Sequence, residues 1–266
     1  MNSPKKKETL LIFFVVLILV VLIISNTVLL FLVTLNSPYH KSRQLIKAIK
    51  QHDYDTMEIM LEAGVDPNVP DARITKFNGL FETAPDVPID IAAKMDDIKA
   101  VKMLLQYGAT PNHIEGTRSH PLHRAIFKNG ENVLAIVKEL VEHGADPYEK
   151  YGSTNVFYWV ADKRSLNDSN ADLRMKETMD YLFKEFKESP QSISQKSHET
   201  WSLTTYAFYF GENTQLIQYL IDNGGTIDYY SSYAGESFYD YCHRKEKLLS
   251  IIEKNGGFPE DLLTKR

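Results

Sequence analysis

The chain has 266 residues, with 30 lysines and arginines against 35 aspartates and glutamates, and a formal net charge of −5. Outside the first 35 residues the balance is 27 basic to 34 acidic residues, a net charge of −7. Such a surface repels nucleic acid and anionic lipid, so neither is an expected partner of this part of the chain. The single Cys242 excludes an intramolecular disulfide and is interpreted as a small core residue.

The first predicted element is an apolar run from Leu10 to Leu35, 26 residues without a charged side chain. As a helix it would extend roughly 39 Å, enough to cross a hydrocarbon layer of roughly 30 Å with some tilt. We predict an uncleaved transmembrane signal anchor at residues 10–35. The alternative is a cleaved secretory signal peptide, which is disfavoured by the length of the run and the lack of an Ala-x-Ala-like site near its end.

The charges on either side of this run bear on its orientation. Lys5, Lys6 and Lys7 are contiguous, whereas the basic residues after the run lie on the first predicted helix of the next domain. Because positive residues beside a span tend to stay in the cytoplasm, we predict a short cytoplasmic tail at residues 1–9. The domain at residues 36–266 would then lie on the far side of the inner or plasma membrane, in the periplasm or outside the cell.

Beyond the apolar run, one pattern recurs along the chain. The segment Met57–Asn68 is echoed by Val101–Asn112, and shorter copies end at Pro147, Asp228 and Gly257. Each copy is an apolar helical pattern followed by glycine, which supplies the left-handed residue that ends a helix. The intervals between these glycines are 44, 36, 80 and 32 residues, and the interval of 80 predicts two units, one of which has lost its glycine.

Each unit also has an opening half, which is clearest in the six residues from His120 to Ala125, His-Pro-Leu-His-Arg-Ala. This segment resembles the ankyrin signature Thr-Pro-Leu-His-x-Ala in all but its first residue. The resemblance implies a solenoid in which the leucine and alanine pack between repeats and the histidine, or an aspartate in its place, hydrogen-bonds the turn. The predicted fold is therefore all-α, an ankyrin-repeat solenoid of about six helix-turn-helix repeats with finger loops, preceded by one transmembrane helix. The repeats are expected near residues 42–69, 86–113, 119–150, 153–195, 200–229 and 235–258.

Departures from the repeat pattern mark candidate binding segments. The stretch from Val69 to Val87 lengthens the first interval and carries Phe77 and Phe81 among polar residues. A long loop of this kind indicates either a functional segment or a disordered tether, and both interpretations stay open here. A second departure, at residues 165–171, is polar and is interpreted as a solvated loop.

Tyrosines concentrate in the predicted finger loops. Tyr148 and Tyr151 fall in the third finger, and Tyr229, Tyr230 and Tyr233 fall in the fifth. Because finger tips project from the stack and tyrosine is favoured at binding hot spots, these residues are predicted to bind a partner, with Phe77 and Phe81 as a second group. The competing interpretation is that they pack against neighbouring fingers. Aromatic residues within or beside the helices are interpreted mostly as core: Phe157, Trp159, Trp201, Phe208 and Phe210.

No catalytic pattern stands out. The sequence lacks a Gly-x-Ser-x-Gly motif, a phosphate-binding glycine loop and a His-Glu-x-x-His motif. His113, His120 and His123 are close together, but they are not spaced as two ligands on one helical face and have no carboxylate or thiol at ligand spacing. We therefore expect no enzyme activity, no cofactor, no metal and no small-molecule substrate.

The expected function is protein recognition, because a repeat solenoid without catalytic groups is by default a binding surface. We predict a membrane-tethered module that captures or masks a protein through its concave face and finger loops, with a toxin-neutralising immunity protein as one version. The alternative is an accessory subunit of a membrane enzyme or transporter, recognised through the transmembrane helix. The polar triplet Ser25, Asn26 and Thr27 supports that alternative, because polar groups within a span can hold helices together.

Overall fold

The computed structural model of the protein describes residues 16–29, 37–70, 85–115, 117, 119–152, 154–162, 170–196 and 200–264. Six helix pairs follow one another at the positions of the six predicted repeats. Their bounds are α1 Pro38–Lys50 with α2 Tyr54–Glu62, α3 Pro88–Lys94 with α4 Ile98–Gln106, α5 Pro121–Lys128 with α6 Val133–Glu142, α7 Val156–Ala161 with α8 Ala171–Phe186, α10 Leu203–Tyr206 with α11 Thr214–Asp222, and α12 Phe238–His243 with α13 Glu246–Lys254. Besides the helical segment at residues 16–29, two helices of the described residues lie outside the pairs, α9 Pro190–Lys196 before repeat five and α14 Glu260–Thr264 after repeat six.

The pairs stack into a solenoid. From repeat one to repeat five, the first helix of each repeat packs on the first helix of the next. The second helices pack on one another in the same order, from α2 to α13. Each repeat therefore buries its apolar faces against its neighbours, which is how units too small to fold alone form one continuous core.

The N-terminal segment is described only in part. Residues 16–29 are helical, and their large apolar side chains are between 44% and 62% exposed. Across the described ranges, no helix is both long enough and apolar enough to cross a membrane. The two ends of the predicted anchor, residues 10–15 and 30–35, lie outside the described residues. The anchor has no support from the structure and stays a prediction.

The predicted glycine helix ends are confirmed. Gly64, Gly108 and Gly144 have φ values of +78°, +86° and +91°, in the left-handed region that glycine adopts without steric penalty. After each of them the chain folds back on its helix; for example, the N–H of Ala109 donates to the carbonyl of Leu104 at 2.9 Å. This is the Schellman arrangement, which satisfies carbonyls at the helix end and directs the chain into the finger.

Repeat four ends its second helix in the same way without glycine. Lys187 takes the left-handed conformation, with a φ of +55°, and the N–H of Glu188 donates to the carbonyl of Phe183 at 2.9 Å. The predicted loss of one glycine is therefore confirmed, and the backbone geometry survives that loss. A side chain in this conformation is strained by roughly 1–2 kcal/mol relative to glycine.

The fingers of adjacent repeats are joined by side chains at one repeated position. The amide of Asn68 donates to the carbonyl of Gly108 at 2.9 Å and accepts from the N–H of Thr110 at 2.8 Å. Asn112 makes the same two bonds one repeat later, to Gly144 and Asp146. These bonds satisfy the otherwise unpaired backbone groups of the loops and fix the spacing of successive fingers.

The buried core changes character along the stack. Aliphatic residues such as Leu45, Ile89 and Leu104 fill the first repeats, whereas repeats four to six bury large aromatic rings. Phe157 and Phe208 are fully buried, as predicted for core residues, and so is Cys242. Burial raises the pKa of the Cys242 thiol to about 12, so the neutral thiol persists as a small packing group.

The all-α prediction needs one correction. The finger between repeats five and six is a β-hairpin of two short antiparallel strands, β1 Ser232–Tyr233 and β2 Glu236–Ser237. Its turn residues Ala234 and Gly235 both have positive φ, +51° and +82°, which is the two-residue turn whose twist matches that of paired strands. The fold is therefore mostly helical with one hairpin finger.

Candidate protein-binding surface

The hairpin finger presents tyrosines to solvent. Tyr230 is 64% exposed, and its hydroxyl donates to the carboxylate of Asp261 at 2.7 Å. Tyr233 is 42% exposed and stands at the end of β1. Both were predicted from sequence to project from a finger, and the structure agrees on their exposure. Their role in binding stays a prediction.

Tyr233 does not stand alone, because two further rings lie against it. Its ring centroid is 5.0 Å from that of Phe210 and 5.8 Å from that of Trp201, and both pairs meet edge to face. Trp201 and Phe210 are themselves 5.8 Å apart, and each is partly exposed. We call these three residues the aromatic patch. Edge-to-face packing holds such rings rigidly, so they offer a large surface at little entropic cost on binding.

Buried residues of the first helix of repeat five pack beneath the aromatic patch. Tyr206 and Tyr209 are buried, and their rings contact Phe210 and Trp201 at 4.5 Å and 5.3 Å respectively. The last turn of this helix is π-helical over Ala207–Gly211. The wider turn changes the direction in which Phe210 leaves the helix relative to a regular α-turn, and such bulges recur at functional sites.

Gly211 closes this turn because no side chain fits there. A Cβ added to Gly211 would lie 2.3 Å from the carbonyl oxygen of Ala161 in the preceding repeat. The backbone of repeat five thus approaches that of repeat four too closely for any other residue. This contact sets the position of the aromatic patch relative to the rest of the stack.

Carboxylates surround the aromatic patch. Tyr206 donates its hydroxyl to Asp162 at 3.3 Å, and Glu236 faces Tyr233 across the hairpin. Burial raises the pKa of the Tyr209 hydroxyl, and the negative charges of Asp228 and Glu236 raise that pKa further. Carboxylates thus lie close to the patch, and the one on Glu236 is paired with Arg244.

A second group of rings lies where repeats two, three and four meet. The rings of His113 and His120 stack with centroids 4.6 Å apart, and His123 meets His120 edge to face at 5.5 Å. Tyr151 lies 4.8 Å from His120 and 5.4 Å from Trp159. Tyr151 is thus half-buried within a ring cluster, and does not project freely as its finger position suggested.

Burial sets the protonation of this second group. It lowers the pKa of His120 to about 4 and that of His123 to about 3. A neighbouring histidine, His113 for His120 and His120 for His123, adds to each shift, as does Arg124. Burial also raises the pKa of Asp90 to about 7, although Arg124 opposes that shift. Within the described ranges, no group of three or more His, Cys, Asp or Glu side chains is arranged to hold a metal ion.

The hydrogen bonds expected at the turns are present for the aspartates. Asp90 accepts the backbone N–H of His120 at 3.1 Å, which ties repeat two to repeat three. Asp66 and Asp146 accept the N–H two residues further on, at 2.8 Å each, as expected for loop-turning residues. His123 differs from expectation, because its Nε2 is buried and finds no hydrogen-bond partner among the described residues.

Two of the predicted finger tyrosines make contacts within the solenoid. Tyr148 occupies the position that asparagine holds in the first two fingers, and its hydroxyl donates to Glu188 in the next finger. Tyr229 packs edge to face against Phe238 and Phe258, at 6.1 Å and 5.9 Å. The competing interpretation, packing between fingers, describes both of them better than projection does. The remaining two candidates, Phe77 and Phe81, lie outside the described residues.

Sequence reasoning missed Trp201 and Phe210 as surface residues. Both were assigned with the core because they lie beside or within helical segments, yet both are partly exposed, as is Trp159. No local periodicity identifies them, since their exposure depends on the π-helical turn and on the hairpin finger. The nearest signal is the density of aromatic residues between Trp201 and Tyr241.

Comparisons with known proteins agree with this architecture. A family model for ankyrin repeats matches residues 45–151, in three copies. The chain contains ankyrin repeats. A Rickettsia bellii protein described as an ankyrin repeat protein is 31% identical over 116 residues, which are 39% of this chain and 48% of that protein. The chain thus spans about half the length of this relative.

A solved structure extends the likeness beyond the matched repeats. The ankyrin repeat domain of human ASB11 superposes with a TM-score of 0.55, over 80% of this chain and 84% of that domain. The sequence identity is 15%, so this likeness concerns the fold alone. The chain folds as a mostly helical ankyrin-repeat solenoid, and such repeats imply a protein-interaction module.

Proposed function

We propose that this chain is a membrane-tethered ankyrin module that captures or masks a protein partner through the aromatic patch and the adjoining fingers. The observation that carries the proposal is the exposure of three rigidly packed rings, Trp201, Phe210 and Tyr233, on one side of repeat five. Binding energy in protein interfaces concentrates in such aromatic anchors. Tyr230, in the same finger as Tyr233, is the neighbouring candidate among the predicted residues. Tyr151 lies in the separate ring cluster of repeats two to four and stays a sequence prediction.

Site-specific photocrosslinking in cells that make the protein tests the site. A photoreactive phenylalanine analogue replaces Tyr233 in one variant and Tyr39 in the other, because Tyr39 is 52% exposed on the first helix of repeat one, remote from the patch in the stack. We expect a discrete protein adduct from position 233 and none from position 39. Adding Trp201→Ala should remove the adduct, since loss of a hot-spot ring weakens binding by roughly 2 kcal/mol or more. Equal adducts from both positions would refute a defined site.

The tether in this proposal is the apolar run from Leu10 to Leu35. Its support is the sequence pattern, a charge-free apolar run of 26 residues that is long enough as a helix to cross a bilayer. A helix of this kind in water would leave a large apolar surface unburied, whereas lipid removes that cost. In the immunity-protein version of the proposal, such a tether would hold a bound toxin at the membrane.

The alternative, recognition through the anchor by a larger membrane complex, is less favoured. The hydroxyls of Ser25 and Thr27 donate to carbonyls of their own helix, to Leu22 at 3.0 Å and Ile24 at 2.8 Å. Polar groups satisfied in this way do not need a partner helix. A purified chain that begins at Ser37, added to a detergent extract of the same cells, separates the two functions. The ankyrin module should still crosslink from position 233 in the extract, whereas an anchor-recognised subunit should lose its partner.

A further inference from the structure

The region around the aromatic patch has an unusual charge distribution. No lysine or arginine occurs between Lys196 and Arg244, a stretch that includes all of repeat five and the hairpin finger. The same stretch contains six acidic residues, Glu199, Glu212, Asp222, Asp228, Glu236 and Asp240. A protein surface of average composition mixes both signs, so this stretch has a one-sided negative field.

Basic residues from outside the stretch neutralise only part of that charge. Arg244 donates to Glu236 at 2.6 Å, and Lys245 pairs with Glu212. Asp228 accepts the backbone N–H of Tyr230 at 3.2 Å, and the described residues supply no cation to it. The negative potential at the base of the hairpin is thus left for a partner to neutralise.

The rings of the aromatic patch also differ from other aromatic rings of the chain. Elsewhere the chain places its own cations over tyrosine faces, as Lys99 does over Tyr54 at 4.1 Å and Lys245 over Tyr241 at 5.3 Å. Similar pairs occur at Tyr148, Tyr151 and Tyr181. In the described part of the chain, no lysine or arginine lies over a ring of the patch.

We propose that the aromatic patch binds an arginine- or lysine-rich segment of the partner protein. The cations would stack on the rings of Trp201 and Tyr233 while the carboxylate of Asp228 attracts them. Aromatic faces attract cations through their quadrupole, and arginine benefits more than lysine because its planar guanidinium also stacks. The surrounding charge steers a basic segment toward the patch and repels nucleic acid and anionic lipid. This inference rests on the proposed function and adds the chemistry of the partner to it.

Peptide binding to the full-length protein in a neutral detergent tests the inference. The probes are three fluorescein-labelled peptides of equal length in which glycine and serine alternate with arginine, lysine or glutamate, and the readout is fluorescence anisotropy. We expect the arginine peptide to bind most tightly, the lysine peptide more weakly and the glutamate peptide not at all. No binding of the arginine peptide, or equal binding of the glutamate peptide, would overturn the inference.

Matched variants show where the arginine peptide binds. Trp201→Ala should weaken binding by about threefold to thirtyfold, the range expected for a cation–π contact, and Trp201→Phe should restore much of the loss. Asp228→Asn should weaken binding at low salt, whereas Asp222→Asn, which removes the same charge from an exposed site on the second helix of repeat five, should not. Equal effects of the two Asn variants would show diffuse charge attraction and refute the site. Circular dichroism confirms that each variant is folded.

The two proposals fail separately. If Trp201→Ala abolishes the protein adduct from position 233 but the arginine peptide does not bind, the patch captures a partner of different chemistry and only this inference is wrong. If the arginine peptide binds at the patch and cells give no adduct, the chemistry of the surface stands and the proposed function is wrong.

Discussion

At the scale of single residues, the histidines of repeat three make the stability of the folded domain depend on pH. His120 is in contact with His113, His123 and Tyr151, and its Nδ1 is 3.8 Å from a carboxylate oxygen of Glu149. Below these rings, Asp90 ties repeat two to repeat three through the backbone N–H of His120. The same few residues therefore join two repeats, a finger and several titratable groups.

The signs of the pKa shifts set the direction of this pH dependence. The folded pKa values of His120 and His123, about 4 and about 3, are below the ordinary 6.5, so the unfolded chain binds more protons as the pH falls below 6.5. Their stabilising effect is complete above pH 6.5 and is lost as the pH drops toward 4 and 3. Asp90 acts oppositely, because its folded pKa of about 7 exceeds the ordinary 3.8. Its stabilising effect is complete below pH 3.8 and is lost as the pH rises through 7.

We predict that His123→Gln makes stability less dependent on pH between 6.5 and 4.5, and that Asp90→Asn makes it more dependent. Each substitution removes one titrating group. For each proton that the folded and unfolded states bind differently, the free energy of unfolding changes by at most about 1.4 kcal/mol per pH unit. Urea unfolding midpoints measured at several pH values check both directions. If both variants keep the slope of the unsubstituted chain, these groups do not titrate differently in the folded and unfolded states.

At the scale of elements, the glycine helix ends make a direct prediction. Gly108→Val should destabilise the domain by at least about 1–2 kcal/mol, because a β-branched residue is strained at a φ of +86°. Gly108→Asn is the matched control, since asparagine tolerates the left-handed region and should cost less. Thermal unfolding measures both. If the valine variant is as stable as the asparagine variant, the backbone at residue 108 can leave the left-handed region at little cost and the strain argument is wrong.

Repeat four permits the opposite experiment. Lys187→Gly should stabilise the domain by about 1 kcal/mol, because glycine removes the strain of a left-handed lysine. Lys184→Gly, three residues earlier within α8, should instead destabilise by about 1 kcal/mol, as glycine does inside a helix. Urea unfolding of the two variants should therefore shift in opposite directions. A loss of stability with Lys187→Gly would mean that the lysine side chain makes contacts worth more than its strain.

The elements also show how far the sequence alone could predict this surface. Five of the six second-helix ends were evident from the sequence, because the glycine and the helical spacing of the apolar residues before it are local patterns. Lys187 was not, since lysine has no preference for the left-handed conformation. Helix α9 was not predicted either, although Ser189 and Pro190 are typical of a helix start and the Ser189 hydroxyl accepts the N–H of Ser192 at 3.1 Å. The aromatic patch joins Trp201, Phe210 and Tyr233 from separate segments, and their contact depends on a π-helical turn and a hairpin that propensities do not predict.

At the scale of the whole molecule, the proposed tether predicts which side of a membrane the ankyrin domain would occupy. The lysines at positions 5–7 favour a cytoplasmic tail, whereas Lys41, Arg43 and Lys47 follow the apolar run. In the structure these three belong to α1 of the ankyrin domain, and the charges within a long translocated domain have little effect on orientation. The N-terminal lysines should therefore decide the orientation.

We predict that a bacterial alkaline phosphatase fused after Arg266 is active, whereas a fluorescent protein that matures only in the cytoplasm is dark at the same position. Replacing Lys5, Lys6 and Lys7 together by glutamine should reduce the phosphatase activity, because the charge that keeps the tail in the cytoplasm is lost. The matched control replaces Lys94, Lys99 and Lys102 together by glutamine. These lysines lie in repeat two, remote from the apolar run, so the phosphatase activity should be unchanged. A fluorescent fusion with inactive phosphatase would reverse the topology. A cytoplasmic ankyrin domain would exclude secreted toxins as partners and leave the aromatic patch to a partner inside the cell.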